Sequence, residues 1–238
     1  MSYSVSKLIT NAFYLSKVRS KDFQTVGGDD ITVGLMLLNE VLGETSANTR
    51  MIPYYQEYVT AAVIGQEKYF IPDLVEPMSL TFNMTTVRYA TNRLSRFQFH
   101  ATTRIDGVEA LPFDASFERT LGGCNLYVQY LPSDTYPFKI WGKFALPLYS
   151  YGDLGTDLML AYDMFYIRNL RYKLAREVCA YYGVQLDPQV KAVMDEISAN
   201  VNSLNTIDLT SQKLNLYDDK NGISWAMVNL GKGFTPAD

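Results

Sequence analysis

The stretch Asp157–Gly183 is the longest helical pattern in the chain, and any fold must be built around it. Leu160, Met164, Ile167, Leu170, Leu174, Val178 and Tyr181 recur at gaps of three or four, which places them along one face. Leu158, Tyr162, Phe165, Tyr172 and Cys179 widen that face, so the spacing predicts a helix packed on several sides. Asp153, Thr156 and Asp157 supply cap chemistry at its start, and Gly183 ends it. Lys173, Arg171, Arg176 and Glu177 read as its wet face, with Lys173 and Glu177 four residues apart and of opposite charge.

Two shorter helices precede it. One is expected over Ser4–Val18, with Ser4 as cap and Val5, Leu8, Ile9, Ala12 and Phe13 on its apolar side. A second is expected over Ile31–Glu44, capped by Asp29 or Asp30, with Ile31, Leu35, Leu38 and Leu42 in register. Gly34 inside it costs up to ~1 kcal/mol relative to Ala, which points to close helix packing there. A fourth helix is expected over Pro188–Leu204.

Between residues 51 and 149 the apolar period changes to two. Tyr58–Ile64, Tyr69–Ile71 and the alternating run Ser79–Ala90 read as strands, with Gly65–Lys68 turning the first into the second. Leu94–Ala101 reads as a strand or an irregular segment, and Pro112–Leu121 as a short helix carrying Phe113 and Phe117 on one side. Cys124–Leu131 and Phe138–Leu146 read as a hairpin about Pro132-Ser133-Asp134. The fold class expected is therefore α+β: an antiparallel bundle of about four helices from residues 1–50 and 150–204, an inserted β-rich region at 51–149, and an extended C-terminal arm at 205–238.

That arm has only isolated apolar residues among polar ones and cannot bury a core of its own. It is either disordered or orders on a partner. In the second case Leu209, Leu214, Leu216, Trp225 and Phe234 are its partner-binding residues. The run Ile223–Val228 has the alternation to add a strand to the edge of another chain's sheet.

Site chemistry is sparse. His100 is the single histidine, no second His or Cys stands at metal-ligand spacing, and no phosphate loop is present. No catalytic residue, cofactor or metal is expected. Glu57 with Glu67, or Asp114 with Glu118, are the carboxylate pairs a glycosidase mechanism would use, although acids beside turns and helix starts are more often solvated caps. Cys124 and Cys179 read as buried free thiols, with a disulfide or a ligand role as the alternative. A net charge of −4 argues against a sequence-specific nucleic-acid binder. Eighteen tyrosines and twelve phenylalanines exceed what a core of this size uses, which favours interfaces. No continuous apolar run suits a secretory leader or a membrane span, so a soluble protein made in a cytoplasm is expected.

The order of motifs resembles the head-to-tail adaptor proteins of short-tailed bacteriophages, also called tail accessory factors, packaged-DNA stabilisation proteins or tail tubular protein A. Lys7-Leu8-Ile9-Thr10-Asn11-Ala12 is similar to that family's opening helix, and Leu37-Leu38-Asn39-Glu40-Val41-Leu42 to its second. Ala62–Ile71 resembles its first hairpin, and Leu126–Pro132 with Ile140-Trp141-Gly142 its later one. Tyr172-Lys173-Leu174-Ala175 with Tyr182-Gly183 resembles its long helix. The likeness runs from about Ser6 to Leu204, with Gly142 where the family has Pro and Lys173 where it has Asn.

The resemblance implies a non-enzymatic structural protein of the virion, at the head–tail junction and assembled in the infected host's cytoplasm. Its partners would be copies of itself in a dodecameric ring, the portal protein, and the tail nozzle or next tail ring. Packaged DNA would pass through the channel without sequence-specific contact, and no membrane is involved. The alternatives are a phage cell-wall hydrolase working through the paired carboxylates, and a monomeric binding module on a helical scaffold.

Overall fold

A computed structural model describes residues 2–22, 25–47, 52–101 and 107–204 of the chain. The chain divides at Asn205, and everything after that point lies outside the described residues, including Leu209, Leu214, Leu216, Trp225 and Phe234. The described residues are mixed α+β, with five α-helices and mostly antiparallel sheets among them.

The helices are α1 (Val5–Leu15), α2 (Gly28–Ala47), α3 (Arg96–Ala101), α4 (Met164–Tyr182) and α5 (Pro188–Leu204). Helix α4 touches α1, α2 and α5, so it is the hub the sequence pattern implies. Leu8, Ile9, Phe13, Leu38, Leu42, Leu174 and Val178 join in one apolar cluster at its side. Gly34 is where α2 meets α1: a β-carbon there would strike the Ile9 γ2 methyl and lie 3.0 Å from Phe13 Cε2.

Ten strands run β1 (Tyr55–Ala61), β2 (Lys68–Pro72), β3 (Leu74–Met84), β4 (Val87–Ala90), β5 (Asn92–Arg93), β6 (Glu109–Ala110), β7 (Asp114–Thr120), β8 (Gly123–Val128), β9 (Leu131–Pro132) and β10 (Pro137–Phe144). They form two four-stranded sheets, ordered β1-β10-β3-β4 and β2-β8-β7-β5, and the small parallel pair β6-β9. A second apolar cluster lies between the two sheets, centred on Ile71, Phe82, Leu126, Val128, Phe138 and Ile140. Tyr69, Tyr136 and Phe82 crowd against Phe138 or one another with ring centroids 5.2 Å apart.

Several expectations need correction. Helix α4 begins at Met164, seven residues later than Asp157. Asp157 accepts the N–H groups of Tyr3 (2.9 Å) and Met159 (3.1 Å), and Leu158 N–H donates to the Tyr3 carbonyl (2.9 Å). Those bonds hold Leu158–Leu160 as a separate 3₁₀ turn, and α4 starts afresh at Asp163. Leu160 and Met164 therefore miss the core and are 88% and 55% exposed. Lys173 is not on the wet face but buried, and Glu177 pairs with the adjacent Arg176 (2.6 Å). Helix α2 starts at Gly28, so Asp29 and Asp30 occupy its first turn and do not cap it.

Pro112–Leu121 is not a helix; its core is strand β7. Phe113 and Phe117 are four apart, a spacing that fits one helical turn and also the same side of a strand, and pairing with β8 decides between them. Leu94–Ala101 contains α3, whose start is closed by a reciprocal pair: Gln98 N–H donates to Ser95 Oγ and Ser95 N–H to Gln98 Oε1. The run Ser79–Ala90 is two strands, turned at Thr85 with φ of 55°. Neither expected hairpin forms. β1 and β2 lie in different sheets, as do β8 and β10, because the chain crosses between sheets at those turns.

Candidate assembly surfaces

The segment from β10 to α4 is fastened to α2 by two side chains. Asn39 accepts the Tyr149 N–H (3.0 Å) and donates to the Tyr149 carbonyl (2.9 Å). Ser46, two helical turns on, accepts the Leu146 N–H (2.9 Å) while donating to the Leu42 carbonyl (2.7 Å). Periodicity had placed neither in a role; their seven-residue spacing puts both on one helix face, which is the signal that could have found them. The N-terminus is fastened to the same segment, with Val5 and Ser6 donating to the carbonyls of Thr156 and Leu154. The first-turn amides of α1 thus gain the acceptors they lack within the helix.

Held this way, the segment presents large apolar side chains to solvent. Leu148 and Tyr151 are each 64% exposed, and Met159, Leu160, Met164 and Phe165 are exposed with them. Between Phe144 and Ile167 there is no Lys or Arg, but there are three acids, Asp153, Asp157 and Asp163. Hydrogen bonds from the Ser150 side chain and backbone hold the Asp153 carboxyl below the usual range, and backbone donors do the same for Asp157. Exposed apolar groups with an acidic border make this stretch a candidate interaction surface.

A second exposed surface is the outer face of the β1-β10-β3-β4 sheet. Val59, Lys139 and Thr81 form one cross-strand row, and Glu57, Trp141 and Ser79 the next. Trp141 is 45% exposed and stacks on Tyr55 at 6.5 Å. Arg88 reaches across to Glu57 (3.1 Å) and Thr81 (3.2 Å).

The carboxylates do not assemble into a pair. Asp114 and Glu118 lie on one strand, four residues apart, which separates them by about 13 Å, beyond the roughly 5–9.5 Å of glycosidase pairs. Asp114 accepts from Asn92 (3.1 Å), while Glu118 accepts from Tyr127 (3.3 Å) and pairs with Arg96 (3.0 Å). Glu57 is taken up by Arg88 on the first sheet, whereas Glu67 immediately precedes β2 of the other. His100 packs its ring against Phe99 and Tyr127, and with Arg96, Phe97 and Glu118 it lines a shallow hollow. Among the described residues no group of three or more His, Cys, Asp or Glu side chains could hold a metal ion. Cys124 and Cys179 are free and buried, and burial pushes both thiols up.

A cleft of about 530 Å³ runs between the end of α2 and the start of β3, with Ser46, Tyr54, Asp73, Arg119 and Leu148 on its wall. Two lysines are buried, Lys143 on β10, which pattern reading gave no role, and Lys173 on α4, which it placed on the wet face. Burial pushes both amines down, partly opposed by Glu76 and by Glu44 respectively. The loop before α2 is tied down by Arg19, which grips Asp30 through two hydrogen bonds (2.7 and 2.9 Å), with the Tyr182 hydroxyl donating to the same carboxylate (3.1 Å). Among the described residues no helix is long and apolar enough to cross a membrane. No family model matches the chain, and no curated protein does.

Proposed function

We propose that this protein is a structural component of a short-tailed phage virion: a head-to-tail adaptor that forms a ring of twelve copies, in the manner of the family it resembles, beneath the portal. In this reading a bundle of about four helices, α1, α2, α4 and α5, carries the β-rich insertion, and residues 205–238 form an arm that reaches a neighbour or the portal. The order of motifs from Ser6 to Leu204 carries the reading.

The exposed stretch Leu148–Phe165 supports it, because an adaptor ring needs distinct faces for its neighbours and for the portal. The low net charge suits a channel wall past which DNA slides without being gripped. Leu209, Leu214, Leu216, Trp225 and Phe234 are the arm's contact residues in this proposal. The ring serves to retain packaged DNA and to offer the tail its attachment surface.

Mass photometry of the protein mixed with its portal tests the proposal. A portal-bound species carrying about a dozen copies is expected, and a protein that stays monomeric in the mixture refutes it. Deleting 205–238 should weaken that assembly while leaving the thermal transition of the remainder in place.

A further inference from the structure

Among the described residues, β1 has no strand on its outer side. Two hydrogen bonds bracket this strand: Phe144 N–H donates to the Tyr54 carbonyl (2.9 Å), and Ala62 N–H to the Tyr136 carbonyl (2.8 Å). Both ends therefore use even-numbered residues of this strand. In an antiparallel ladder bonding alternates residue by residue, so Gln56, Tyr58 and Thr60 also face β10. The N–H and C=O groups of Tyr55, Glu57, Val59 and Ala61 consequently point away from the sheet. Among the described residues no strand pairs with them.

This edge lacks the devices that blunt the others. β2 is short and carries Lys68 and Pro72, β4 has four residues and Arg88, and β5 has two residues. β1 is seven residues long with one charge, no proline and no bulge. It runs on into Val63 and Ile64, each at least half exposed. A long, flat, unguarded edge is a template for another strand.

We infer that β1 receives the segment Ile223–Val228 from a neighbouring copy of this chain, which adds a fifth strand to the β1-β10-β3-β4 sheet. Ile223–Val228 is uncharged, free of Pro and Gly, and bounded by Gly222 and Gly231. Its alternation puts Ile223, Trp225 and Met227 on one side, where they can lie beside Tyr55, Glu57 and Val59, with the half-exposed Trp141 one strand further in. Backbone bonds to the open edge supply affinity, and the aromatic and aliphatic neighbours supply register. The eighteen residues from Asn205 to Gly222 span up to about 60 Å when extended, enough to cross to an adjacent subunit. Donation to a neighbour rests on the ring reading, since a ring gives every donor segment a receiving edge at fixed distance.

The test is a register-tolerant cross-link in the full chain. Val59→Cys and Trp225→Cys are combined and treated with a short bismaleimide, alone at high concentration and mixed with the portal. Burial keeps Cys124 and Cys179 out of the reaction. A ladder of interchain products is expected, falling at least tenfold when Ala226→Pro and Met227→Pro are added together to the donor or Glu57→Pro to the edge. Adjacent amides of a strand point to opposite sides, so one of the two donor prolines removes an N–H that faces β1 in either strand orientation. Glu57→Pro removes an outward N–H and leaves the bonds to β10 in place. The donor variant lies outside Met1–Asn205, so it serves if the edge variant does not fold. Intrachain product alone, no product, or a ladder that ignores the donor variant overturns the inference. Electron microscopy of the same mixtures separates the two readings: portal-bound rings without the ladder remove strand donation and keep the ring. A ladder without rings keeps donation between copies and removes the ring.

Discussion

Removing the Asn39 amide should release the segment that carries Leu148 and Tyr151. In Asn39→Ala the Tyr149 N–H and C=O both lose their partner in a partly buried position. An unsatisfied buried group costs about 1–3 kcal/mol, and partial access of water lowers this, so about 2 kcal/mol in total is expected. For a unit of this size that is roughly 4–8 °C in Tm. Asn39→Asp keeps the acceptor for the Tyr149 N–H but sets a carboxylate against the Tyr149 carbonyl, and should cost at least as much. Ser46→Ala deprives the buried Leu146 N–H of its acceptor at 2.9 Å, again about 1–3 kcal/mol. Because both side chains hold the same few residues, the double variant should cost at least ~0.5 kcal/mol less than the sum of the singles. Urea unfolding followed by circular dichroism, with midpoint and slope fitted together, reads these differences. Losses below ~0.5 kcal/mol for Asn39→Ala, or strict additivity in the double variant, would show that water replaces these bonds and that the segment is held elsewhere.

Three further outcomes follow from the same contacts. Gly34→Ala should lower stability by about 1–2 kcal/mol: the helix gains up to ~1 kcal/mol in propensity, but the new methyl meets Ile9, whose branched side chain yields poorly; a rise in Tm would contradict the packing. The Arg19 hydrogen bonds hold the Asp30 carboxyl below its ordinary pKa, so the pair's stabilisation is complete above the unfolded-chain value of about 3.9 and is lost as pH falls through the folded value. Asp30→Asn should therefore flatten the decline in Tm below about pH 4 relative to the parent chain, and an unchanged acid limb would refute that assignment. Leu160→Ser, at an 88% exposed position, should leave the unfolding free energy within ~0.5 kcal/mol of the parent and, under the proposed adaptor role, should weaken assembly with the portal as read by mass photometry; unchanged assembly would count against this surface.

What the residues settle alone is whatever depends on local spacing. The helix over Pro188–Leu204, the cap at Ser4, the stop at Gly183 and the close approach at Gly34 all follow from apolar period, cap chemistry and the lack of a side chain. Partnership between strands does not. β8 and β10 are separated only by the two-residue β9 and a turn, yet each pairs elsewhere, because burying both apolar faces requires the chain to cross between sheets. A period of two says which side of a strand is apolar, not which strand lies beside it. The start of α4 is set likewise by distant groups: Tyr3 and Ser4 bind Asp157 and Leu158, and that long-range bridge interrupts a pattern that reads as unbroken helix. The exposed surface at Leu160 and Met164 is the result. Periodicity marks both as core, and only the tertiary contact that delays the start of α4 to Met164 turns them outward.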